Sequence, residues 1–261
     1  MEEATQFRNC NEADLEWDKN FKLDHLSGDV KGKLTELLNA NKHIFATSVK
    51  ELPGCDTLPH NIELTDDIPV RQKAYRVPYN LIPEMNKQID ILLESGIIEP
   101  SVSPYSTPVM LVKNSSGEYR FVADFRALNK KIITDAYPLP LINESIDNLQ
   151  WCIYFSTLDL TTGFFQQKLH PADKYKTAII TNKGLIRLTR APFGLATSAN
   201  AFRRLMEMVL SGLRSSQIFV YVDDIVVAST TIEQHLDKLQ KVFNRLNEHG
   251  LKLKRLQNVT S

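Results

Sequence analysis

The chain has 261 residues, 43% of them hydrophobic, and its 31 basic and 31 acidic residues cancel to a formal net charge of zero. That supports one large domain or two small ones with a real core. The chain has no run of eighteen apolar residues, and its acidic start MEEATQFRNCNEADLEWD is unlike a secretory signal. Cysteines 10, 55 and 152 form neither a metal-ligand spacing nor a disulfide framework, so they read as reduced thiols of an intracellular protein. The charge is unevenly spread. Residues 1–67 carry seven basic against fourteen acidic side chains, and residues 168–214 carry nine against two. This asymmetry predicts a basic face and an acidic appendage.

Residues 1–27 are polar and weakly periodic, as in an extension or linker. The spacing of Val30, Leu34, Leu37 and Leu38 predicts a helix from Asp29 to Ala40. Leu52 to Pro59 reads as a connecting loop and His60 to Leu64 as a short strand, with His60 structural. Met85, Ile89, Leu92 and Leu93 predict a second helix, ended by Gly96. Val109 to Val112 and Tyr119 to Ala123 predict a hairpin around the turn residues Asn114-Ser115-Ser116-Gly117. Ile153-Tyr154-Phe155 begins a strand that ends near Asp159. Ser198 is placed to cap a helix with Phe202, Leu205, Met206, Val209 and Leu213 on one stripe. Leu236, Leu239, Phe243 and Leu246 mark a last helix, closed by Gly250.

The stretch QIFVYVDDIVVAS places two strand-favouring runs, 217–222 and 225–229, around the adjacent Asp223 and Asp224. A reversal there makes a hairpin with two carboxylates at its tip. An Asp-Asp pair is also an ordinary solvated turn, but two ionised carboxylates side by side favour neutralisation by a hard divalent cation such as magnesium. Asp159 adds a third. Carboxylates from two neighbouring strands suit two metal ions roughly 3.5–4 Å apart, the geometry of in-line phosphoryl displacement.

The segments STLDLTTGFFQQKL, RAPFGLATSANAFRRLM and FVYVDDIVVAS, in this order, resemble core motifs of reverse transcriptases, those of gypsy-type LTR retrotransposons above all. The resemblance extends through IIEPSVSPYSTPVMLVKNSSGEYRFVADFRALNKK and DAYPLPLINESIDNL and covers about residues 56–253. It implies an α+β right-hand polymerase with fingers and palm. The implied ranges are an acidic extension at 1–55, mainly fingers at 56–158 and mainly palm at 159–261, the reverse transcriptase domain beginning near 94. Thumb, connection and RNase H, which follow in the family, are expected to be missing from this stretch, which would be a fragment of a pol polyprotein.

The implied chemistry is RNA-directed DNA synthesis from deoxynucleotides on a primed RNA or DNA template, with two Mg2+ ions, or Mn2+ in their place, and no membrane partner. Asp159 and Asp223 would bridge both ions, Asp224 would support one of them, and the Leu160 carbonyl would complete a shell. Lys113 and Arg120 match positions that clasp the triphosphate, a point charge beside a planar fork. Phe164 matches the aromatic that excludes a ribose hydroxyl, and Phe193-Gly194 the segment over the incoming nucleotide, with Gly194 allowing close backbone approach. Asp124 and Arg126 read as a structural ion pair. Ala191, Ala199 and Arg203 depart from the usual Met, Pro and Gln, which touches helix entry and the template side. The implied location is cytoplasmic or in virus-like particles. Competing readings are a weak remnant that only binds nucleic acid, an RNA-dependent RNA polymerase, against which Phe164 argues, and a metal-dependent nuclease, which leaves the ordered upstream motifs unexplained.

Overall fold

The computed structural model describes residues 28–113, 117–134, 149, 151–213, 217–221, 224–254 and 258–260. In chain order the first elements are α1 (Gly28–Ala40), β1 (Phe45–Ala46), β2 (Cys55–His60), α2 (Ile82–Glu94), β3 (Ile98–Pro100), β4 (Thr107–Lys113) and β5 (Tyr119–Ala123). Then come the short α3 (Arg126–Asn129), β6 (Tyr154–Asp159), β7 (Gln167–Leu169), β8 (Ile179–Thr181), β9 (Gly184–Leu188) and α4 (Ser198–Val209). The last are β10 (Ile218–Tyr221), β11 (Asp224–Ser229), α5 (Ile232–Glu248), β12 (Leu253–Lys254) and β13 (Asn258–Thr260). The expected extension at 1–27 and the hairpin turn at 114–116 lie outside the described residues. None of the described helices is long and apolar enough to cross a membrane. The chain forms two compact units that interleave along the sequence. One takes described residues from 49–134 and 164–202, the other from 28–48, 149–163 and 203–260.

The first unit is built on a five-stranded sheet of order β3-β9-β8-β4-β5. Helix α2 buries Met85, Ile89 and Leu92 along one face, and Gly96 at φ +64° turns the chain out of it. Its buried Gln88 is fully employed, donating to Tyr119 O at 2.8 Å and accepting from Phe121 N at 2.9 Å, which ties α2 to β5. The segment expected as a loop at 52–59 instead contains β2, which pairs in parallel with β7 with a register irregularity. Pro59 is compatible with this strand because the sheet has only these two members and Pro59 needs no donor on its open side. The strand expected at 60–64 is reduced to a bridge between Leu64 and Ile132.

The second unit has a four-stranded sheet of order β10-β11-β6-β13, antiparallel throughout. Helix α5 covers it with Leu239, Val242, Phe243 and Leu246, is capped by the Thr231 hydroxyl accepting from Gln234 N, and closes at Gly250 with φ +66°. Leu236, expected on the buried stripe, is half-buried, and His235 takes the inward position. Phe45 packs edge-on against Phe243 at 5.9 Å, and α1 buries Leu34 and Leu38. Helix α4, whose residues are divided between the two units, departs from expectation at both ends. Ser198 is its first residue and donates its hydroxyl to Pro192 O at 2.7 Å, and the helix stops at Val209, short of Leu213. The chain turns beyond it at Gly212, where φ is +82°.

Candidate active site

In the second unit, β6 ends and β11 begins on an aspartate, and the antiparallel register sets Asp224 directly opposite Asp159. Directly opposed residues project to the same face, so two carboxylates meet at one end of the sheet. Burial and hydrogen bonding to Asp224 lift the Asp159 carboxyl from its ordinary 3.8 to about 7, with Lys254 pulling the other way. A raised carboxyl of this kind marks a place where negative charge is disfavoured unless a cation offsets it. Hard oxygen donors with surplus negative charge fit a divalent, oxygen-seeking ion. Asp223 lies outside the described residues, among which no cluster of three acidic, His or Cys side chains could hold a metal. Leu160 follows Asp159 directly, is 5% exposed and has its backbone bridged to Leu253. Thr162 then turns at φ +45°, an uncommon conformation for a β-branched residue and worth roughly 1–3 kcal/mol of strain.

The other predicted residues belong to the first unit. The β4–β5 register pairs Lys113 with Tyr119 and Val112 with Arg120, so the hairpin sends Lys113 and Arg120 to opposite faces rather than side by side. Lys113 is the last residue of β4. Arg120 lies over the Phe193 ring at 4.8 Å from its centroid, a cation–π contact. Phe193 in turn stands 4.9 Å from Phe164 and 5.5 Å from Phe165, and Phe164 leans edge-on against buried Phe202 at 5.6 Å. Arg120, Phe193 and Phe164 are thus one contiguous group, and Lys113 stands apart from it.

Gly194 is required by its backbone conformation alone. A side chain there would meet only Ala123 O at an ordinary 3.9 Å, whereas its φ of +82° is what demands glycine. Asn129, which no motif singled out, holds the same loop by donating to Gly194 O at 2.8 Å and accepting from Ala196 N at 2.9 Å. Asp124 and Arg126 pair at 2.7 Å, and the Tyr75 hydroxyl donates to the same carboxylate at 2.6 Å. Both contacts hold Asp124 well below the usual carboxylate range, consistent with the structural role expected.

The positive surplus of 168–214 is largely spent locally. Lys168 pairs with Asp56, Lys174 and Arg187 with Glu99, Lys176 with Asp173 and Lys183 with Asp90. Arg203, the departure from Gln, pairs with Glu207 one helical turn away at 3.3 Å. Most of the described basic side chains of this segment are therefore in ion pairs, which composition by segment cannot reveal because the acidic partners come mostly from elsewhere in the chain.

The chain is 36% identical over 229 residues to a retrovirus-related Pol polyprotein from transposon 412 of Drosophila melanogaster, an alignment covering 85% of this chain and 18% of that protein. It is 32% identical over 230 residues to the polyprotein from transposon gypsy of the same fly, covering 86% of this chain and 22% of that one. The chain thus spans about a fifth of the length of these relatives. Among solved structures it is similar to a foamy viral protease-reverse transcriptase in complex with double-stranded DNA, with TM-score 0.84 and 26% identity over 94% of this chain and 43% of that one. The foamy viral enzyme in complex with an RNA/DNA hybrid gives 0.82 and 26% over 92% of this chain and 32% of that one. The family model for reverse transcriptase (RNA-dependent DNA polymerase) matches residues 111–256, more than half of the sequence and both carboxylate strands. Its fold is that of a reverse-transcriptase polymerase, and the chain belongs to the reverse transcriptase family.

Proposed function

We propose that this chain is the fingers-and-palm portion of a retrotransposon reverse transcriptase, joining a primer 3′-hydroxyl to the α-phosphate of a deoxynucleotide with release of pyrophosphate. The observation that carries this reading is the register of Asp159 against Asp224 with the carboxyl of Asp159 raised to about 7. A structural role would be better served by one carboxylate or none, since like charges at a strand end oppose folding. Asp159, Asp223 and Asp224 are the proposed ligands of two divalent ions, magnesium by preference. When bound, such ions would neutralise the carboxylates, ease loss of the hydroxyl proton and offset charge on the departing pyrophosphate.

The residues of the first unit serve the nucleotide itself. Arg120 supplies a planar fork for the triphosphate oxygens, and its seat on Phe193 holds the fork ready without neutralising its charge. Lys113 approaches from the other face of the hairpin as a flexible point charge. Phe164 restricts the sugar, and the segment Phe193-Gly194 lies against the base. The primed RNA or DNA template supplies sequence specificity by base pairing. The reading is supported by the foamy viral relatives, whose structures hold duplex DNA and an RNA/DNA hybrid.

Asp159→Asn and Asp223→Asn should each reduce magnesium-dependent single-nucleotide extension by at least about a hundredfold while the protein stays folded. Primer extension by the purified chain and both variants, with circular dichroism as the folding control, decides it. Equal extension by variant and parent would remove the carboxylates from the mechanism.

A further inference from the structure

We propose that the segment Leu52–His60, which precedes the family-matched residues 111–256, is a positioning strap for the loop Ala191–Thr197, with Arg190 and His60 as its two fasteners. At the start of the loop, Arg190 is 7% exposed and donates through Nη2 to Pro53 O at 2.9 Å and Leu52 O at 3.4 Å. Gly54 sits against the guanidinium at φ +82°, and a Cβ there would fall inside it, so the glycine makes the room that the arginine fills. At the far end, His60 is 2% exposed and its Nε2 meets Thr197 Oγ1 at 2.9 Å. Gln167 completes the fastening between them. Its side-chain amide donates to Leu58 O at 2.8 Å while its backbone carbonyl accepts from Ala191 N at 2.9 Å.

The energetics argue that this is more than filling. A guanidinium is costly to bury, and among the described residues Arg190 Nη1 has no hydrogen-bond partner while Nη2 has only carbonyls. An apolar side chain of similar volume would avoid that cost. What the fork adds is direction, because bonds to two successive carbonyls fix residue 190 against the strap. The loop so fixed carries Phe193, on which Arg120 rests, and Gly194, which Asn129 grips. Arg190 and His60 are accordingly positioning residues. Their kinetic consequence rests on the proposed function; the strap itself does not.

The test measures backbone hydrogen exchange of the 261-residue chain and, in parallel, single-nucleotide extension. Arg190→Met is expected to speed exchange in the peptide covering 191–197 by at least about tenfold, with the β4–β5 hairpin unchanged. The KM for the deoxynucleotide should rise about tenfold with kcat nearly preserved, a split that loss of folded protein cannot produce. Gly54→Ala, which evicts the guanidinium without removing it, should reproduce both effects. The double variant should be no worse than either single one, the non-additivity of a shared contact. Should Arg190→Met fail to fold, Gly54→Ala and His60→Ala carry the same readouts. Unchanged exchange across 191–197 in any folded variant of the set overturns the strap. A parent chain that extends no primer would overturn the polymerase reading instead and leave the exchange result to decide the strap.

Discussion

The contacts of Phe164 bear both on packing and on the sugar check proposed for it. One side of the ring leans on buried Phe202, and another meets Phe193 at 4.9 Å, yet the residue as a whole is only half-buried. A rigid ring braced by two aromatic neighbours and only half-buried would suit the proposed role of blocking a group beside the sugar. A ribonucleotide presented there would bring a hydroxyl with no room and no partner, costing roughly 1–3 kcal/mol, or a factor of about 5 to 150 in discrimination. Phe164→Val should therefore raise ribonucleotide incorporation relative to deoxynucleotide by at least about tenfold. The lost ring contacts should also lower stability, by roughly 1–2 kcal/mol for a half-buried aromatic. Phe164→Tyr should change neither quantity much. Single-nucleotide extension with matched ribo- and deoxynucleotides reads the first effect and urea denaturation the second. A stability loss with an unchanged ratio would make Phe164 a packing residue and nothing more.

Three elements meet at His235, and they give the second unit opposed responses to pH. From α5 its ring reaches Ser156 of β6 at 2.8 Å through Nε2 and Ser229 of β11 at 3.1 Å through Nδ1. Burial, and then the nearby Lys238, lower its pKa from 6.5 to about 4. Between these values the unfolded chain binds more protons, so this contribution is complete above pH 6.5 and lost as pH falls toward 4. It amounts to about 3 kcal/mol. Asp159 works the other way. Its pKa is raised from 3.8 to about 7, so without metal its folded form holds the extra proton and stability falls as pH rises through that window. In Asp159→Asn the histidine slope should stand alone, with urea-denaturation stability rising by about 3 kcal/mol from pH 4 to 6.5. Adding His235→Gln should flatten it, and a flat profile in the single variant would show that the buried histidine does not govern the slope. At this scale the sequence was most readable where elements are made by near neighbours. The helical periods of α1, α2 and α5, the strands of the β4–β5 hairpin and the β10–β11 pair all follow from local pattern. The carboxylate pair was readable too, because each aspartate ends or begins an apolar run. Strand β2 was not, since its partner Gln167–Leu169 lies far along the chain and Pro59 argues locally against a strand. The roles of Asn129, Ser198 and Arg190 were equally hidden, each being set by a backbone carbonyl or amide that no side-chain motif encodes.

Charge is the property of the whole molecule that the sequence describes least well. A neutral chain with a basic middle segment suggests a cationic surface in that segment, yet six of its eight described lysines and arginines engage Asp56, Asp90, Glu99, Asp173 or Glu207. The exposed members of this set contribute little to stability, and each pair offsets charge that a phosphate backbone would seek. Cations without such partners lie elsewhere. Lys73 and Arg76 are exposed in the irregular stretch before α2 and have no ion-pair partner among the described residues. Beside them stand Tyr75, 40% exposed, and Tyr79, 90% exposed, which add aromatic faces to the positive charge. Basic and aromatic side chains interleaved along one exposed segment suit a sequence-tolerant nucleic-acid strand. Binding of a primer–template should weaken steeply with salt, because each neutralised phosphate releases condensed counterions. Lys73→Ala and Arg76→Ala should each flatten the plot of log affinity against log salt by about one unit, whereas Lys168→Ala and Lys183→Ala should leave the slope nearly unchanged. Fluorescence anisotropy of a labelled primer–template across a salt series makes the comparison. A flattened slope on loss of Lys168 or Lys183, with none on loss of Lys73 or Arg76, would return the binding face to the middle segment and show that its ion pairs open when nucleic acid arrives.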